Sequence, residues 1–77
     1  MMSTVQEVKD IIERAASMPW GPACSAELAR AVVLVDSLEG EEELRIETYM
    51  QLATAYQQGN EEWKALAPTA WLITKFD

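Results

Sequence analysis

The sequence predicts an all-α fold, four helices stacked as α-hairpins, on three observations. Apolar residues recur at spacings of three and four along most of the chain, the period of a helix with one buried face. Glycine and proline fall mainly between those stretches, where they end one helix and let the next begin. The single β-branched run, Ala31 to Val35, has no second strand candidate to pair with, so it reads as a buried helix face. With 77 residues, 49% of them hydrophobic, the chain makes one small domain, residues 1–77, and is too apolar for disorder despite a formal charge of −7.

The first helix is expected from Thr4 to Ala16. Ser3 and Thr4 each stand three residues before a Gln or Glu, the capping-box arrangement in which a hydroxyl accepts a backbone N–H at the helix start. Val5, Val8, Ile12 and Ala15 form its apolar stripe, and Pro19, Gly21 and Pro22 end it. A second helix is expected from Ser25, as N-cap, to Leu38. Leu28, Ala31, Val32, Val35 and Leu38 make its buried face, widened by Val33 and Leu34, so cover on more than one side is expected. Gly40 is placed at a left-handed stop position. The third helix runs from Glu42 to Gln58, with Glu41, Glu42 and Glu43 near its positive end and Gly59 closing it. Asn60 is expected to cap a fourth helix, with Pro68 kinking or dividing it near Ala67. Trp63, Leu66, Trp71, Leu72, Ile73 and Phe76 make that helix apolar on nearly every side, so it should have more than one neighbour.

Composition excludes several chemistries. Without histidine, and with Cys24 alone, the chain offers no usual zinc site, no Ser-His or Cys-His nucleophile and no internal disulfide. No cofactor or metal is expected, and the chain reads as no enzyme. The negative field repels phosphate backbones, which argues against nucleic acid, and no apolar run approaches the ~20 residues of a membrane span. No secretory leader is read at the start, and one unpaired cysteine suits the cytoplasm. The acidic patch Asp36, Glu39, Glu41, Glu42 and Glu43, relieved only by Arg45, reads either as a docking patch for a basic partner or as solvated capping acids. Trp20, as a lid over the first two helices, and Trp63 are expected in the core, while Trp71 suits either core or a partner anchor.

Tyr49-x2-Leu52-Ala53-x2-Tyr56, followed by Ala65, resembles the tetratricopeptide repeat, with small residues where two helices cross closely. Thr69 and Asp77 depart from it, standing where the repeat prefers phenylalanine and proline, so the resemblance covers roughly residues 43–77. A closed four-helix bundle is the alternative packing. The resemblance implies a groove lined by the first helix of each repeat, here Glu47, Met50, Thr54 and Gln57, which also share one helix face by the 3.6-residue period. The resulting expectation is a non-catalytic protein-interaction module binding a basic protein or peptide through Glu47, Met50, Thr54, Gln57 and Trp71. The alternative is a small acidic regulator, or a nucleic-acid mimic, that occupies a basic cleft. The unpunctuated end of the fourth helix adds the expectation of a homodimer, or of packing against the rest of a longer helical-repeat chain.

Overall fold

In the computed structural model, which describes residues 3–76, the order is α1 (Thr4–Ala16), α2 (Pro22–Asp36), α3 (Glu42–Gln58), a 3-10 turn (Glu62–Ala65) and α4 (Leu66–Phe76). Among the described residues there is no strand, and the fold is all-α as predicted. Asp77, compared above with the repeat's proline, lies outside the described residues. Each helix packs antiparallel on the one before it. The Arg14–Glu27 and Arg30–Glu7 pairs run in opposite senses along α1 and α2, Tyr49–Asp36 joins the end of α2 to the middle of α3, and Ser25–Glu61 joins the start of α2 to the segment just past α3. Lys75–Glu42 and the Tyr49–Trp71 stack fix α4 on α3.

The row stays open. Among the described residues α1 meets α3 along one border, while α4 packs on α3 and the 3-10 turn and touches neither α1 nor α2. The Cα atoms extend 35 × 31 × 14 Å. Helices pack ~8–10 Å apart, so a closed square of four would be about as deep as it is wide. The alternative of a closed bundle is therefore corrected. The core runs along α2, which α1 and α3 cover from two sides. Val8, Ile11, Ala31, Val35 and Leu44 fill one end of it, and Ala15, Cys24, Leu28, Leu52 and Ala55 the other.

The first and third helices keep their expected bounds, and the Ser3 hydroxyl caps α1 by accepting from the Gln6 amide at 3.1 Å. The second helix differs at both ends. It begins at Pro22 with Gly21 as N-cap, because a proline at the first helical position brings a helical φ and gives up an amide that has no partner there anyway. Ser25 is thus inside the first turn, and its hydroxyl donates to the Pro22 carbonyl at 3.2 Å and to Glu61 Oε2 at 2.9 Å. α2 stops at Asp36, four residues before Gly40, whose positive φ of 79° bends the loop instead.

At the far end of α3 the left-handed residue is Asn60 (φ 67°), not Gly59, so Asn60 is no N-cap. The Glu61 amide donates to the Tyr56 carbonyl at 2.8 Å and completes a Schellman closure. Gly59 is needed for space: a Cβ there would lie 3.1 Å from the Gly21 amide nitrogen in the α1–α2 loop. The expected division around Pro68 falls earlier, between Ala65 and Leu66. Proline cannot donate back to Lys64, so the preceding turn tightens to 3-10 and α4 restarts with Pro68 in its first turn.

Three apolar side chains are not where burial was expected. Trp63 is 71% exposed, because the turn before α4 points it away from α3. Trp20 is half exposed, and Met18 takes its place against the core. Val33 faces outward, since α1 and α3 occupy only the two flanks of α2 beside it.

Candidate functional site

The partner-binding residues singled out above fall on two different sides of α3, four of them on α3 itself and Trp71 on α4. Glu47, Met50, Thr54 and Gln57 are all exposed and, by the helical period, project from one face. That face runs into a shallow cleft of about 310 Å³ between α1 and α3, lined by Lys9, Ile12, Glu13, Leu44 and Glu47. Trp71 is not with them. It lies across α3 in a second, more apolar groove of about 350 Å³ between α2 and α4, with Val32, Tyr49, Leu52, Tyr56, Lys64, Ala67 and Pro68. Its ring stacks on Tyr49 at 3.9 Å between centroids and 10° between planes, and the Lys75 ammonium stands 5.0 Å from its centroid. Half-buried in this way, Trp71 ties α4 to α3.

The distribution of ion pairs gives the first face its electrical character. Among the described residues Arg14, Arg30, Arg45, Lys64 and Lys75 are each bound to a carboxylate, and Lys9 is in no ion pair. Their partners are Glu7, Glu27, Asp36, Glu42 and Glu61. Among the described residues Asp10, Glu13, Glu39, Glu41, Glu43, Glu47 and Glu62 make no ion pair. Glu13 and Glu47 meet in the α1–α3 cleft, and Glu43 sits one turn before Glu47 on the same side of α3.

The acidic patch accordingly divides. Asp36 accepts from the Tyr49 hydroxyl at 2.7 Å and lies 3.4 Å from Arg45 Nε, while Glu42 bonds Arg45 and Lys75, each at 3.0 Å. These two carboxylates are structural. Lys75 and Arg45 hold Glu42 below the usual carboxylate range, and burial together with Asp36 pushes the Tyr49 phenol up to about 12. Glu39, Glu41 and Glu43 stay outside that network.

Arg45 is the residue that reading the sequence as a charge run misses. Its guanidinium turns inward and donates to the Val35 carbonyl at 3.0 Å and to the Leu38 carbonyl, closing the end of α2. The available signal was a lone arginine a few residues after a helix end crowded with acids.

Cys24 offers no reactive thiol. It is fully buried, donates to the Ala15 carbonyl at 3.6 Å, and burial pushes its pKa up, opposite to the lowering that a helix N-terminus favours. Among the described residues no three His, Cys, Asp or Glu side chains converge as metal ligands, and no helix is long and apolar enough to cross a membrane. No protein-family model, curated protein or solved structure matches the chain.

Proposed function

We propose that this chain is a non-catalytic protein-interaction module of the helical-repeat kind, which binds a basic peptide or helix along the exposed face of α3 and the cleft that α3 shares with α1. The observation that carries this is the uneven neutralisation of charge. Among the described residues five of the six basic side chains are paired internally, whereas Glu13, Glu43 and Glu47 make no ion pair and lie along the α3 face of Met50 and Thr54 and the adjoining cleft, outnumbering Lys9 beside them. A cationic partner gains attraction there without displacing an internal ion pair. Met50, exposed at the middle of the face, supplies a soft apolar contact that adapts to different side chains.

The open row supports the repeat-like reading. Ala53 and Ala65 are buried where α3 meets the following segment, Leu52 is buried beside them, and α1 borders α3 as successive first helices of a repeat array do. A free thiol buried in the core, as Cys24 is, suits the cytoplasm.

Panning a random-peptide display library on the immobilised full chain should enrich lysine- and arginine-rich sequences. Met50→Lys with Thr54→Lys should release them with unchanged helicity and melting temperature, since both side chains are exposed. Enrichment of neutral or acidic peptides, or retention by the double variant, overturns the assignment of this face. The rival acidic regulator would use its whole field, so its binding would fall steeply with salt, whereas a face with an apolar centre keeps part of its affinity.

A further inference from the structure

The two ends of the helix row differ in chemistry. α1 presents Gln6, Lys9, Asp10, Glu13, Arg14 and Ser17 to the outside, a charged border. α4 presents the reverse. It packs on α3 through Pro68, Trp71 and Leu72, so Leu66, Ala70 and Ile73, at i, i+4 and i+7, point away from the body, with Phe76 on their flank. Leu66 is 74% exposed, Ile73 58% and Phe76 68%. No charged residue occurs between Lys64 and Lys75, in a chain whose charged fraction is 25%.

We infer that this outward face of α4 is a homodimer interface, in which α4 packs antiparallel on α4 of a second copy about a two-fold axis near Ala70. Three features select a second copy in that arrangement. The stripe is uncharged, so two molecules of formal charge −7 can meet there with their α2–α3 acids kept away from the contact. The opposite border is charged, so a head-to-tail contact of α4 on α1 would bury ions against Leu66 and Ile73, whereas the two-fold contact sets apolar on apolar. The third feature is area. The exposed parts of Leu66, Ile73 and Phe76 amount to roughly 350–450 Å² per copy, so a pair buries about 700–900 Å², the size of a weak, reversible contact rather than an obligate one. In the antiparallel register Leu66 of one copy faces Ile73 of the other across two small Ala70 side chains, which let the helices approach closely. This inference is independent of the α1–α3 face.

Sedimentation equilibrium of the full chain, from single to hundreds of micromolar, should show reversible passage from 8.6 kDa to twice that mass. Ile73→Glu should raise the dissociation constant at least tenfold with unchanged helicity, while Val33→Glu, at an even more exposed apolar site on α2, should leave it within about twofold. Added salt should tighten the dimer by screening like charges, the opposite of its effect on a basic partner, so the two proposals fail separately. In a Cys24→Ala background, Ala70→Cys should form an intermolecular disulfide under mild oxidation. A monomer at every concentration, growth beyond a dimer, or a dimer indifferent to Ile73→Glu overturns the inference.

Discussion

Replacing Arg45 with methionine keeps the aliphatic stem of a side chain that is 13% exposed and deletes a guanidinium that contacts two carbonyls and two carboxylates. Its two kinds of partner differ in worth. Asp36 and Glu42 are 44% and 49% exposed, so losing the ion pairs returns both carboxylates to water at a cost of ~0–1 kcal/mol each. The Val35 carbonyl, in the last turn of α2, also accepts from the Leu38 amide at 3.1 Å, and the Leu38 carbonyl lies in the loop just past the helix, so Arg45 pins that turn to α3. Each hydrogen bond from a charged donor contributes ~1.5–3 kcal/mol, and water entering the vacated site recovers part of that. A net loss of ~2–4 kcal/mol follows, against a total stability of ~4–12 kcal/mol for a chain of 77 residues. The melting temperature should then fall by on the order of 10–25 °C. Arg45→Lys should recover about half, because an ammonium keeps the charge and cannot span two carbonyls and two carboxylates as a planar fork does. Urea titration followed by circular dichroism measures all three proteins. Raising the salt should narrow the gap between wild type and Arg45→Met only slightly, since the carbonyl bonds are not screened. A methionine variant within about 0.5 kcal/mol of wild type, the spread of an ordinary surface substitution, would refute the closing role assigned to Arg45.

Four further outcomes are expected. Gly59→Ala should destabilise by ~1–3 kcal/mol, because the added methyl meets the Ala55 carbonyl and the Gly21 backbone and neither is a flexible side chain; an unchanged urea midpoint would contradict that contact. Ala53→Leu and Ala65→Leu should each lose a similar ~1–3 kcal/mol at the α3 crossing, whereas Ala67→Leu, exposed in the α2–α4 groove, should be tolerated; equal losses at all three would show that the crossing is not close. Tyr49 has a folded pKa raised above its ordinary value of 10, to about 12, so the stability it contributes is full below pH 10 and lost as the pH rises from 10 to 12; Tyr49→Phe should flatten that alkaline limb. Glu27 (held by Arg14 and Arg30), Glu42 (by Lys75 and Arg45) and Glu61 (by Lys64 and Ser25) titrate below their ordinary value of 4.5, so their stabilisation is full above that pH and lost as the pH falls through the lowered values; Glu61→Gln should weaken the acid dependence, and an unaltered profile would count against that pairing.

How far the candidate faces could be read from the sequence depended on the reach of each signal. Glu47, Met50, Thr54 and Gln57 share a face because spacing along one helix is enough to say so, and the structure leaves all four exposed. Trp71 was grouped with them on residue type alone, and it lies on the other side of α3 because its partner is Tyr49, a neighbour only through tertiary packing. Leu66 and Ile73 were legible as part of a helix apolar all round. Which of its sides would stay uncovered depended on α3 being the one helix to pack against α4.

What the sequence by itself determined is local. The bounds of α1 and α3, the Ser3 cap, the left-handed Gly40 and the absence of strands among the described residues all follow from interactions within a few residues, whose energies change little with the rest of the fold. The tertiary structure decided everything that depends on which distant groups meet. It started α2 at Pro22 and turned Ser25 toward Glu61, and it left Trp63 and Val33 in water and folded Arg45 back onto the end of α2. It also kept the row open rather than closing it into a bundle. The physical reason is that helical periodicity specifies which side of a segment is apolar but not which neighbour covers it, because burial is roughly proportional to area and carries no direction of its own.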